Sequence, residues 1–169
     1  NQAGYLSRIG RSDGYFEEYR YDGGGRLVGL NIADVTFWTF GYDAFGRLAT
    51  VTDPNLRESR YAYDADGRVR EFTDFDGQRW LFNFAADGQL AYFVRPGGDR
   101  IDFEYGDPRG YLTAVVNNIE RFGVSYDSRG DIQSATDPRE RINTFQRNLR
   151  GDVQRISDSA SGAQRLFAS

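Results

Sequence analysis

Two segments carry carboxylates at a spacing that could hold a cation. Asp64-x-Asp66-Gly67 and Asp74-x-Asp76-Gly77 superficially resemble calcium loops. Such a loop needs about five or more oxygen ligands at set positions, including a late Glu. These segments offer two carboxylates each, and a turn accounts for them better. Paired carboxylates can also hydrolyse glycosides, one as acid and the other as base or nucleophile. With 25 acids in 169 residues close pairs are inevitable, and none stands apart from the rest. Arg26, Arg47 and Arg68, each just after a Gly, could bind an anion. Their plainer role is to pair with acids on an exposed face, for about 0–1 kcal/mol each. Trp38 and Trp80 could stack a sugar or a base, although aromatics repeated along strands mostly pack across them.

The missing residue types narrow the chemistry further. The chain has no Cys, His or Met, and all 21 of its basic residues are Arg. Without thiol, imidazole or amine there is no Ser-His-Asp triad, Cys nucleophile, Schiff base or N/S metal site. No catalytic residue, metal ligand or cofactor is expected. The net charge is −4 with Arg and Asp interspersed, so the basic stripe that marks a nucleic-acid partner is absent. No run of about 18 apolar residues exists to form a membrane-spanning helix.

What must position these residues is a repeat. Gly4, Gly25, Gly46, Gly67, Gly88, Gly110, Gly130 and Gly151 are separated by 21, 21, 21, 21, 22, 20 and 21 residues. Evenly placed glycines with matched neighbours define about eight units. Two residues after each Gly comes an aliphatic residue, including Leu27, Leu48, Val69, Leu90, Leu112 and Ile132. Four before it comes Tyr21, Tyr42, Tyr63, Phe84 or Tyr126; Tyr105 is shifted by one, and Arg147 breaks the pattern. These positions form the expected core of the repeat. Six before the Gly lies a second aromatic or aliphatic, giving the period of two that a half-buried strand requires. The apolar positions after the Gly, such as Leu48 and Val51, are three apart. That spacing implies a bulge or burial on both sides.

Between the strands lies Tyr-Asp-x-x-Gly, with Asp22 and Gly25, Asp43 and Gly46, Asp64 and Gly67, and Asp127 and Gly130 as structural turn residues. Asp at the first turn position bonds local backbone N–H groups, and Gly at the fourth accepts positive φ. A second turn in each unit, at Asp53-Pro54, Asp74 to Gly77, Arg95 to Gly98, Asp137-Pro138 and Asp158 to Gly162, reads as looser. The expected fold is all-β, with no helix beyond a single turn. Two-stranded units of about 21 residues stack into a coiled, solenoid-like sheet spanning residues 1–169 as one array.

Tyr42-Asp43-Ala44-Phe45-Gly46-Arg47-Leu48, running on to Thr52-Asp53-Pro54, and Tyr63-Asp64-Ala65-Asp66-Gly67-Arg68-Val69 resemble the YD repeat of the Rhs family. Similar repeats occur in insecticidal toxin complexes, bacterial wall-associated proteins and teneurins. The resemblance implies a long sheet coiled into a hollow shell, which in the toxins encloses a toxic C-terminal domain. It also implies a bacterial protein, secreted or at the cell surface. Rhs toxins carry a core motif around Asp-Pro-x-Gly-Leu linked to self-cleavage. Here Asp53-Pro54 is followed by Asn55-Leu56 and Asp137-Pro138 by Arg139-Glu140, so no protease residue is carried over.

Gly4-Tyr5-Leu6 opens with the second half of a unit, and Arg165 to Ser169 stops where a further first strand would run. Placed head to tail, Phe167 would take the slot held by Tyr19, Phe40 and Tyr61. The expected partners are therefore further repeats or copies of the chain, with a toxin cargo or a surface carbohydrate in addition. The leading expectation is a non-enzymatic building block of an extracellular fibre or scaffold. The alternatives are a segment of a toxin-enclosing shell and a carbohydrate-binding adhesion module.

Overall fold

The computed structural model describes residues 4–167. Every regular element among them is a strand: β1 (Arg8–Gly10), β2 (Phe16–Tyr21), β3 (Leu27–Ile32), β4 (Thr36–Tyr42), β5 (Leu48–Thr52), β6 (Glu58–Tyr63), β7 (Val69–Thr73), β8 (Arg79–Phe84), β9 (Leu90–Val94), β10 (Arg100–Glu104), β11 (Ala114–Asn117), β12 (Glu120–Tyr126), β13 (Ile132–Thr136), β14 (Ile142–Arg147), β15 (Val153–Asp158) and β16 (Gln164–Leu166). Pairing is antiparallel and follows sequence order. Two compact units divide the chain after Leu81, inside β8. One holds β1 to β7 and the start of β8; the other holds the end of β8 and the strands through β16. The end segment noted above is described only as far as Phe167.

The turns explain why these residues form hairpins. Asp43 accepts from Gly46 N at 3.0 Å, and Asp43 N donates to the Arg47 carbonyl at 2.9 Å. The loop thus has three residues, the last left-handed, as in a type I turn closed by a bulge. Gly46, at φ 81°, supplies that conformation. A second bulge follows at once. Tyr42 faces Leu48 but Gly41 faces Thr50, so Ala49 is the extra residue. Tyr21, Tyr63, Tyr126 and Arg147 stand at the same register shift. The bulge is what places Leu48 and Val51, three residues apart, on one face opposite Tyr42 and Phe40.

Four of the second turns are not looser, while the turn at Asp158 is one residue longer, with Gly162 N donating to the Asp158 carbonyl at 3.1 Å and Asp158 N to the Ala163 carbonyl at 3.0 Å. Asp53, Asp74, Arg95 and Asp137 each accept from the residue three later and donate to the carbonyl four later, at 2.8–3.0 Å. They were hard to recognise because Leu56 (φ 62°) and Glu140 (φ 61°) hold the left-handed position that Gly holds elsewhere.

Alternation gives the sheet two unlike faces. Tyr19, Tyr21, Phe40, Tyr42, Tyr61 and Tyr63 share one face with the apolar residues they oppose. Rings meet along it as Tyr61–Phe72 (5.0 Å, tilted) and Phe72–Trp80 (5.5 Å, stacked) in the first unit. In the second they run Phe82–Phe93 (6.2 Å) and Phe93–Phe103 (5.9 Å). The other face is polar, with ion pairs such as Arg79–Glu71 at 2.7 Å and Arg121–Glu104. There is no conventional core: among the described residues Ala114 is the one buried hydrophobic side chain. The residues counted as repeat core, Tyr21, Leu27, Tyr42, Leu48, Tyr63, Val69, Phe84, Leu90 and Leu112, are half-buried. Ile132 departs from them at 41% exposure.

Candidate functional site

The recurrent motif Tyr-Asp-x-x-Gly-Arg is the most organised group of polar side chains. Asp43 Oδ1 accepts from the backbone N–H groups of Phe45 and Arg47, both at 2.9 Å. Its Oδ2 accepts from Arg47 Nε at 2.7 Å. Asp22 with Arg26, and Asp64 with Arg68, repeat the arrangement. Burial pushes the Asp43 and Asp64 carboxyls up, but the backbone N–H of the following Arg and its guanidinium outweigh it and hold both below the usual range. Asp22 is lowered chiefly by the Arg26 backbone N–H. Asp127 lacks an Arg four residues on; it accepts from Arg129 N and Asp131 N at 2.8 and 3.0 Å.

The same Arg reaches the next unit. Arg26 lies over the Tyr42 ring at 4.9 Å and Arg47 over Tyr63 at 4.4 Å. Each Tyr in turn donates its hydroxyl back to the aliphatic residue it covers. Tyr21 bonds the Leu6 carbonyl, Tyr42 that of Leu27, Tyr63 that of Leu48, Tyr105 that of Leu90 and Tyr126 that of Leu112, at 2.7–3.1 Å. A buried Tyr needs such a partner for its hydroxyl. Here that need ties one unit to the one before it. The link was missed in the sequence, yet its signal is present: Tyr42, Tyr63 and Tyr105 stand fifteen residues after Leu27, Leu48 and Leu90. The displaced Tyr105 keeps this spacing because the extra residue, Gly106, falls behind it.

Arg147 breaks the Tyr pattern. It holds the Tyr slot fifteen residues after Ile132, which is 41% exposed; Leu6, in the first described unit, is 54% exposed although the Tyr21 hydroxyl bonds its carbonyl. The assignment of Ile132 to the core is corrected on its exposure.

The other candidates are occupied by the fold. Asp64 and Asp66 are both bound by Arg68. Asp74 accepts from Asp76 N and Gln78 N, and Asp76 pairs with Arg57 at 3.1 Å. Among the described residues no group of three metal-ligating side chains stands together. Trp38 and Trp80 lie outside the four recurrent positions of the repeat but on the aromatic face, opposite Leu30 and Phe72. Trp38 meets Phe75 edge-on at 5.9 Å, and both Trp residues are half-buried.

Residues 31–58 and 42–79 match the RHS Repeat family. Within residues 31–79 the chain carries RHS repeats. It is a structural repeat module, built on the turns, rings and inter-unit bonds just described. Among solved structures the RHS-repeat chain is similar to TcdB2-TccC3, with a TM-score of 0.69 and 18% identity over 89% of this chain and 10% of that one. It is also similar to the Tc holotoxin pore of Photorhabdus luminescens, with a TM-score of 0.70 and 18% identity over 90% of this chain and 9% of that one. The RHS-repeat chain thus spans about a tenth of the length of these chains, and the likeness is one of fold. No curated protein matches it.

Proposed function

We propose that the chain is a wall segment of a hollow RHS-type shell that encloses a toxin domain in a bacterial secreted or cell-surface protein. The observation that carries this reading is the absence of an interior, since Ala114 is the only buried hydrophobic side chain among the described residues. A repeat array buries apolar surface only against its neighbours. This sheet has an aromatic face that is only half-buried and a polar face that suits water. That suits one wall of a larger assembly better than a self-contained globule. The fold likeness to TcdB2-TccC3 supports the shell. The partners would be further repeats, bonded as units are bonded here, and an enclosed cargo. Trp38 and Trp80 are engaged in packing, so nothing favours a carbohydrate site.

Electron microscopy of the full-length native protein tests the proposal. Closed, hollow particles are expected. Filaments, the fibre expected from the sequence, or open sheets would overturn it.

A further inference from the structure

The aromatic face is interrupted at Arg147. This side chain donates from Nη1 to the Gly151 carbonyl at 3.0 Å, while its Nε is buried with no acceptor. Arg129, nearby, donates to the Leu149 carbonyl at 3.3 Å. Arg26, Arg47, Arg57, Arg68, Arg109 and Arg141 each pair with an Asp of their own turn. Among the described residues no carboxylate lies within ion-pair distance of Arg129 or Arg147. Arg129 and Arg147 line one open depression of about 530 Å³, with Phe145 and the exposed Leu149 on its apolar side and Asp127 and Gln133 among its polar groups.

We infer that this depression binds a carboxylate carried on a compact apolar body. Arg129 and Arg147 each donate one guanidinium N–H to a backbone carbonyl, and a guanidinium has five N–H donors, so others remain for an occupant. The guanidinium fork matches a carboxylate in geometry as well as charge. Two Arg charges against one Asp charge leave a single positive charge in the lining, which suits a monoanion better than a phosphate dianion. Phe145 and Leu149 give the apolar body its surface. The volume lies within the range of about 300–1,000 Å³ common for small-ligand sites. The carboxylate has two possible sources, a small organic acid or a Glu side chain of a polypeptide. The site is independent of whether the wall is a shell or a fibre.

The test follows the Arg147 Nε–H resonance of the 169-residue chain by NMR during titration. The probes are sodium 3-phenylpropanoate and the peptide acetyl-Leu-Glu-Leu-amide. Their neutral counterparts, 3-phenylpropanamide and the Gln peptide, are the controls. A saturable shift is expected with a carboxylate and not with its amide. A response to the small acid identifies a small-molecule site, and a response to the peptide identifies a polypeptide partner. Arg147→Tyr restores the ring of the other units, so it should melt no lower than the parent yet bind at least about tenfold more weakly. Arg129→Gln should weaken binding in the same direction. No saturable shift with either carboxylate up to about 10 mM, equal response to the amides, or unchanged binding by Arg147→Tyr would overturn the inference.

Discussion

Removing the Tyr63 hydroxyl separates the bond between units from the packing around it. The hydroxyl donates to the Leu48 carbonyl at 2.7 Å, the Arg47 guanidinium lies 4.4 Å from the ring centroid, and the ring is half-buried. Tyr63→Phe keeps the ring and the cation contact and deletes one hydrogen bond, a net loss of about 1 kcal/mol. Tyr63→Ala deletes all three. A fully buried aromatic truncated to Ala loses about 3–5 kcal/mol, so a half-buried one should lose about 2–3 kcal/mol, including about 0.5–1 kcal/mol from the cation contact. Urea unfolding followed by circular dichroism reads both as midpoint shifts at constant slope. Tyr126→Phe, which deletes the 2.8 Å bond to Leu112, should repeat the Phe result in the other unit. Alkaline titration gives an independent readout. Burial raises the Tyr63 pKa above 10.0, against the opposing Arg47 charge. The folded state therefore holds this proton more tightly than the unfolded state. Its contribution is complete below pH 10.0 and lost as pH rises through the raised value. Tyr63→Phe should lack that loss. Two Phe variants as stable as the parent, with Tyr63→Ala costing under about 0.5 kcal/mol, would refute the idea that the ring ties units together.

Leu56 is 86% exposed with φ 62°, so Leu56→Gly should relieve strain of about 1–2 kcal/mol and raise the melting temperature. Gly46→Val places a branched residue at φ 81° and should cost about 1–3 kcal/mol; melting temperatures that move the other way would refute the shared turn geometry. The carboxylates of Asp43, Asp64, Asp107 and Asp137 are held low, Asp107 to about 2 through the Arg109 guanidinium and backbone N–H. Their stabilisation is present above 3.8 and lost as pH falls through the folded values, so acid unfolding should begin below pH 3.8, with a shallower slope down to about 2 in Asp107→Asn. Leu48→Ala should cost about 2 kcal/mol, whereas Ile132→Ala, with no ring above it, should cost under about 1 kcal/mol; equal losses in thermal melts would show that the ring is irrelevant to burial.

The repeat was legible because its turns need particular residues. Asp22, Asp43 and Asp64 satisfy turn N–H groups, and Gly25, Gly46 and Gly67 supply positive φ. Such requirements recur at fixed spacing whatever the rest of the strand does. The second turns hid because Leu56 and Glu140 adopt the same conformation without announcing it by residue type. Trp38 and Trp80 hid for another reason. Their slot, two residues before the first apolar position of each unit, also holds Glu17, Ser59, Ile101, Phe122 and Asn143. A position that changes chemistry from unit to unit leaves no period, though register places it on the aromatic face. The depression at Arg147 was visible in sequence only as a broken pattern. Its content required knowing that the missing group was a ring with a hydroxyl, and what lay beneath it.

The inter-unit bonds also bear on why a sheet without an interior holds together. Each Tyr–carbonyl bond runs to an adjacent unit, as do the contacts of Arg26 with Tyr42 and of Arg47 with Tyr63. The second row of turns does likewise, where Arg57 pairs with Asp53 of its own turn and Asp76 of the next. Stability in such an array is a sum of weak unit terms and neighbour terms, so a unit lacking one neighbour term lowers the resistance of that junction alone. Arg147 is such a place: the ring and its hydrogen bond are replaced by a guanidinium with an unmet donor. A Tyr there would complete the ladder. The Arg instead lines an open depression, where an occupant carrying a carboxylate would supply by binding a contact that the other units obtain from their own sequence.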